Sequence, residues 1–208
     1  IIGLTTGVTV LIGQAMGAGD SELSGKISAG MTKLLAAVSV LFFAVLMLFA
    51  PQALDLLEIP AEAKTAGVEY VRICTAGIFF ISAYNAISGL FRGVGDSKMP
   101  LVFILIACVF NIIGDLILVA VFDMGAAGAA IATAAAQGVS VIFSVIYIRK
   151  GGLPFKITKS SFKSGDSVRR ILKIGVPIAL QDFLTRVSFL ILTAILNSLG
   201  LIASASIG

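Results

Sequence analysis

Apolar residues in this chain come in long runs separated by short polar stretches. Six runs stand out, over residues 1–16, 27–50, 68–90, 100–122, 126–148 and 174–199, the first of them short. At about 1.5 Å per helical residue, each of the five longer runs can cross the roughly 30 Å hydrocarbon layer of a bilayer. A backbone in lipid must satisfy its own hydrogen bonds, which leaves helices or the strands of a closed barrel. Barrel strands are about ten residues long and alternate strictly; these runs are about twice that length and uniformly apolar. The pattern predicts an all-α, polytopic membrane helical bundle. The stretches between the runs, "GAGDSELSGK" (17–26), "APQALDLLEIPAEAK" (50–64), "RGVGDSKMP" (92–100), "DMGAAG" (123–128) and "RKGGLPFKITKSSFKSGDSVRR" (149–170), carry the Gly, Pro, Ser and Asp of turns.

Composition supports the same class. The chain is 58% hydrophobic and 12% charged, about half the charged share of a soluble domain. Lys and Arg outnumber Asp and Glu by 15 to 11, and their placement explains the excess. If every run spans, the first, third and fifth connections share one side. That side carries Lys26, Lys33, Arg92, Lys98, Arg149, Lys150, Lys156, Lys159, Lys163, Arg169, Arg170 and Lys173, against Lys64 and Arg72 on the other. Such asymmetry places the basic connections in the cytoplasm and the protein, multi-pass, in the cell's inner (plasma) membrane. It is a topology signal rather than a nucleic-acid patch. The long connection 149–173 reads as a cytoplasmic loop between an N-terminal lobe (1–148) and the start of a second (174–208). His is absent, which excludes His-based metal sites and proton relays. Cys74 and Cys108 lie in apolar runs and read as packing residues. The chain starts mid-run at Ile1 and reads as an internal piece of a longer protein.

Polar residues inside the runs are the candidates for chemistry. In "NIIGD" (111–115) an amide and a carboxylic acid stand one helical turn apart in the middle of the fourth run. A carboxylate at that depth costs about 2.5–3.5 kcal/mol on insertion scales, so Asp115 is expected to face protein or a water-filled cavity. It need not be ionised, which makes it a candidate proton acceptor as well as a ligand for a hard cation such as Na⁺, with Asn111 adding an amide oxygen. Asp115 and Thr133 each lie about seven residues, or roughly 10 Å, from the same outer end of their runs, so acid, amide and hydroxyl can converge, with Tyr70 as a cap. The alternative is an interhelical hydrogen-bond clamp worth about 0.6 kcal/mol. In "QDFLTR" (181–186), Asp182 and Arg186 are spaced to neutralise each other; alternatively Asp182 faces a substrate cavity, with Gln181 and Arg186 beside it. Gly93 and Gly95 suit a tight turn in which Asp96 accepts backbone N–H groups. The Gly/Ala-rich "GAAGAAIATAAAQG" (125–138) suits close helix packing. No phosphate-cradling GxxxxGK[ST] and no nucleophile–base pair is present, so neither an enzyme nor an ATP-driven pump is expected.

The ordered set "GQAMGAGD" (13–20), "LFRGVGDSKMP" (90–100), the Asn–Asp run, "GAAGAAIATAAAQ" (125–137) and "LKIGVPIALQDF" (172–183) resembles the multidrug and toxic compound extrusion (MATE) family, prokaryotic DinF-like type, over helices two to seven of twelve. The resemblance implies two six-helix lobes around a central cavity, working by alternating access to export organic, often cationic, drugs in exchange for Na⁺ or H⁺. It implies no cofactor beyond that coupling ion. The expected partners are drugs and the lipid bilayer, not nucleic acid, and the protein is expected to be a monomer. In DinF-like members the cation site combines a first-helix Asp with a fifth-helix Asn and Asp and a sixth-helix Thr. The last three fall on Asn111, Asp115 and Thr133, while Tyr70 and Asn85 match polar fourth-helix positions. The seventh-helix acid of NorM-type members aligns with Thr185, with Asp182 nearby. The alternative within the superfamily is a flippase of lipid-linked oligosaccharide, which would want a more cationic cavity; Arg186 is the clear cation inside a run.

Overall fold

The computed structural model describes residues 2–56, 61–163 and 165–198. Among them there are seven α-helices and no strand: α1 (Ile2–Gly17), α2 (Ser21–Leu56), α3 (Ala61–Ala76), α4 (Ile78–Gly93), α5 (Lys98–Asp115), α6 (Gly125–Tyr147) and α7 (Asp166–Ser198). Four helical stretches are long and apolar enough to cross a membrane, Ser21–Gln52, Lys98–Val121, Gly125–Gly152 and Asp166–Thr193, and α3 with α4 can supply a fifth as a bent pair. Residue 199 of the sixth predicted run and the middle of the second connection (57–60) lie outside the described residues.

The boundaries differ from the hydropathy pattern in instructive ways. Helix α2 continues past residue 50 through Pro51 to Leu56. The third run is two helices meeting at Gly77 with a 41° bend. Glycine is needed there for space: a Cβ on Gly77 would lie 3.0 Å from the Ala134 Cβ of α6. The fourth run leaves α-helical winding immediately after Asp115 and continues as a π-helical turn, Leu116–Val121. Helix α7 starts eight residues before the expected position, at Asp166.

Large apolar side chains point outward and small polar ones inward. Leu41, Leu48, Leu101, Leu105, Val109, Leu190 and many others are exposed, whereas Ser24, Ser28, Ser39, Ser82, Ser140 and Ser144 are buried. That inversion belongs to a bundle whose solvent is lipid. Two apolar clusters remain inside. One joins Val8, Leu11 and Ile12 of α1 with Ile27 and Met31 of α2, Leu90 of α4, Phe155 and Ile171. The other centres on Phe91, whose ring lies 5.7 Å from those of Phe103 and Tyr147.

Helix crossings are made by small residues. A Cβ on Gly3 would lie 2.4 Å from the Ala179 Cα, and one on Gly7 would lie 2.8 Å from the Gly175 Cα, so α1 and α7 meet backbone to backbone. Likewise Gly93 leaves 2.7 Å to the Ile12 Cβ, and the Thr9 hydroxyl of α1 donates to the Gly89 carbonyl of α4 at 3.1 Å. The connection 149–165 is not a free linker. Phe155 is buried, Leu153 packs against both apolar clusters, and the Lys33 ammonium of α2 donates to the Phe162 carbonyl. Gly25 and Gly30 make the room, facing the Lys156 carbonyl and the Ser167 side chain. The turn before α5 forms as expected: Gly95 is at φ 87, and Asp96 Oδ1 accepts from the Lys98 and Met99 N–H groups at 3.0 and 3.1 Å.

Gly7→Leu in the complete protein should therefore lower the melting temperature in detergent by an overpacking cost of about 1–3 kcal/mol. Gly17→Ala, where a Cβ meets nothing within 4 Å, should leave it unchanged or raise it slightly. Equal melting of wild type and Gly7→Leu would show that α1 and α7 do not cross here.

Candidate functional site

The α5–α6 crossing is set by Gly114, where a Cβ would lie 2.9 Å from the Ala132 Cβ. The close approach brings the polar residues on either side of it together. Asn111 Nδ2 donates to Thr133 Oγ1 at 3.3 Å. Asp115, one turn further along α5, is half-buried. Its Oδ1 is buried without a hydrogen-bond partner, alone in that respect among the described residues. Asn111 is half-buried and Thr133 exposed, so the pair opens outward while one oxygen of the acid points inward. The π-helical turn starts at the next residue; such turns widen the helix locally and often accompany functional sites. All three side chains offer oxygen, the donor type a hard cation takes. Among the described residues no group of three or more His, Cys, Asp or Glu is placed to hold a metal ion. A cation bound here would thus rest on one carboxylate supported by neutral oxygens.

The other two expected members are elsewhere. Tyr70 is exposed on α3 and does not cap the acid, whose Oδ1 has no hydrogen-bond partner. Asn85 Nδ2 donates to the Ile81 carbonyl at 2.8 Å within α4. Asn85 belongs instead to an open cavity of about 550 Å³, lined by Ile2, Gly3, Phe42, Ile78, Ile81, Ala179, Asp182, Phe183 and Arg186. This cavity lies where α7 meets α1, α2 and α4. Asp182 and Arg186 both face it, yet they form no ion pair within 4.0 Å; the pairs among the described residues are Lys26–Glu22 and Lys64–Asp55. Gln181 does not line the cavity, and its carbonyl accepts from the Thr185 hydroxyl at 2.9 Å. Sequence reasoning missed Ile78 and Ile81 as cavity residues. Their spacing from Asn85, seven and four residues, places all three on one face of α4 and was the available signal. It also missed the Ser39–Ser82 hydroxyl pair, 2.6 Å apart and buried between α2 and α4.

A polytopic helical bundle with a broken span, an acid on an apolar helix and a cavity beside α7 is the kind of architecture that membrane transporters share. The MatE family model matches residues 1–117, and the chain belongs to that family. It is 31% identical over 201 residues to the probable multidrug resistance protein YpnP of Bacillus subtilis strain 168, covering 96% of this chain and 45% of that protein. It is 25% identical over 203 residues to the multidrug export protein MepA of Staphylococcus aureus strain NCTC 8325, covering 97% and 45%. Among solved structures, an inward-facing multidrug resistance MATE family transporter of the MOP superfamily superimposes with a TM-score of 0.79 at 26% identity, covering 86% of this chain and 42% of that one. A MATE crystal structure in complex with MaD3S reaches 0.90 at 24% identity, covering 98% and 47%. The chain thus spans about half the length of the curated relatives it matches.

The Asn111–Thr133 contact should be measurable as a coupling. Asn111→Ala and Thr133→Val combined in the complete protein should destabilise by about 0.6 kcal/mol less than the sum of the single variants. Asn85→Ala with Thr133→Val should be additive. Additivity in both cycles would remove the interhelical bond.

Proposed function

We propose that the complete protein is a secondary active antiporter that exports organic, often cationic, compounds in exchange for Na⁺ or H⁺ by alternating access. One observation carries the coupling role: the buried, unpartnered Oδ1 of Asp115 beside the Asn111–Thr133 pair. A buried carboxylate with an unfilled acceptor is stabilised by whatever brings a positive charge to it. A proton or Na⁺ does so, and so does a cationic compound; each excludes the others. Differential occupancy then biases which way the two halves of the transporter open. The names of the relatives support drugs as the cargo, and the cavity between α1, α4 and α7 supplies apolar walls with Asn85 and Asp182 as polar contacts. The plasma membrane is the location proposed with this reading, its cytoplasmic side facing the basic connections, and the bilayer is the remaining partner. Arg186 in the same cavity favours the second reading, a flippase of lipid-linked oligosaccharide, because a cation there would meet an anionic headgroup; Asp182 beside it offsets that preference.

The test is efflux by the complete protein in liposomes, with Na⁺ and pH gradients imposed separately. Wild type should export a cationic dye against at least one gradient. Asp115→Asn, correctly inserted, should fall to the empty-liposome background under both. Undiminished export by that variant would end the coupling role. Failure of the wild type with both gradients, together with transbilayer movement of a labelled lipid-linked oligosaccharide, would favour the flippase.

A further inference from the structure

The first turns of α7 carry two different faces. Ser167 and Ile171 are buried, packed against Gly30 of α2, and Gly175 continues that face to its contact with α1. The opposite face, Arg169, Arg170, Leu172, Lys173 and Val176, is exposed and, with Asp166, lines an open cavity of about 740 Å³. Three cations thus share one pocket with a single acid. None of the three forms an ion pair within 4.0 Å among the described residues, Asp166 included. Leu172 and Val176 lead from the cations into the apolar surface that Leu180 continues, all three exposed. The cations therefore stand at the head of an apolar strip on a helix that enters the membrane.

From this arrangement we propose that the face Arg169–Arg170–Lys173 binds the phosphate headgroup of an anionic phospholipid, with Leu172 and Val176 against its acyl chains. Charge complementarity selects the occupant. Unpaired Arg and Lys demand anionic oxygens, Arg presents a planar fork that matches phosphate, and the apolar continuation calls for a ligand that is anionic at one end only. The basic connections place this face in the cytoplasmic leaflet, where anionic lipids supply such headgroups. The burial of Ser167 and Ile171 fixes the helix rotation, so the cations are presented outward without any turning of the helix. This site is separate from Asp115 and from the cavity that holds Asp182, and it does not depend on the transport reading.

The complete protein, purified in detergent, is examined by native mass spectrometry with phosphatidylglycerol and phosphatidylcholine at equal concentration. Wild type should retain phosphatidylglycerol preferentially. The triple variant Arg169→Gln/Arg170→Gln/Lys173→Gln should lose that preference by about fivefold for each cation removed. The matched variant Arg149→Gln/Lys150→Gln/Lys156→Gln, which removes the same charge outside this cavity, should keep it. Equal losses in the two variants would reduce the effect to net charge and overturn the site, as would a wild type with no preference. An Arg170→Cys variant lacking Cys74 and Cys108 should react with a hydrophilic maleimide, and more slowly when phosphatidylglycerol is added. A thiol unreactive in lipid-free detergent would show that the remainder of the protein covers this face, which also overturns it.

Discussion

Lipid tails are as apolar as leucine, so helices in a bilayer gain little by hiding apolar side chains from their surroundings. What holds them is close approach, and here the approach is made at glycines. Gly3 and Gly7 meet Gly175 and Ala179, Gly93 meets Ile12, Gly77 meets Ala134, and Gly114 meets Ala132. At Gly3, Gly7, Gly93 and Gly114 one added carbon would force a neighbour to shift, and at Gly77 it would be a tight fit. Dispersion forces, individually about 0.1–0.2 kcal/mol per atom pair, add up only when backbones run this close. The same constraint positions the chemistry. Asn111 reaches Thr133 because Gly114, three residues along, lets α5 rest against α6. A bulkier residue at 114 would press on Ala132, the neighbour of Thr133 in the chain, and so strain the bond between the amide and the hydroxyl.

The second constraint is the disposal of polar side chains. Most within the spans bond to the carbonyl one turn back on their own helix: Thr75 to Val71, Asn85 to Ile81, Ser144 to Ser140 and Thr185 to Gln181. That solution needs a donor, since the group one turn back is an acceptor. Hydroxyls and amides have donors and an ionised carboxylate has none. An acid inside a helical span therefore cannot be silenced by its own helix. It must be answered by another helix, by a cation or by a proton. Asp115 is in that position, and its Oδ1 has no answering group among the described residues. Asp182 meets the same difficulty differently, by facing an open cavity that it shares with Arg186.

Much of this was legible in the sequence. The spans were, because about twenty apolar residues in a row admit few structures in a bilayer. The capped turn at Asp96 was, because Gly-Asp-Ser before a helix is local chemistry. Depth brought the acid, amide and hydroxyl to one region but not to their pairing: equal offsets put Asp115 level with Thr133, yet the hydrogen bond that forms comes from Asn111, one turn deeper, and Asp115 Oδ1 is left without a partner. The displacements of Tyr70 and Asn85 were not legible. They depend on where each helix breaks and how it is rotated, which Gly77 decides by its contact with Ala134, a partner 57 positions away in the chain. Hydropathy also could not show that helical winding changes at Leu116, because π and α turns are built from the same residues.

The connection 149–165 shows where charge counting and packing part company. Its lysines and arginines read together as one topology signal, yet the fold treats the basic residues on either side of the contact differently. Lys33, which meets this connection from α2, is engaged: its ammonium donates to the Phe162 carbonyl and lies 5.8 Å from that ring's centroid. Phe155 seats the segment in the first apolar cluster, and Leu153 packs against both. This anchoring removes the freedom that a chain of such polarity would otherwise have, and the entropy lost in ordering it must be met by apolar burial. The rotation of α7 is fixed by its own residues, Ser167 and Ile171 against Gly30 of α2. The same rotation that brings Gly175 and Ala179 to α1 turns Asp182 and Arg186 toward the cavity of α4. The face that α7 turns to each neighbour is thus set by its own small and apolar residues, Ser167 and Ile171 on α2 and Gly175 and Ala179 on α1, while the connection before it is held in place by packing of its own.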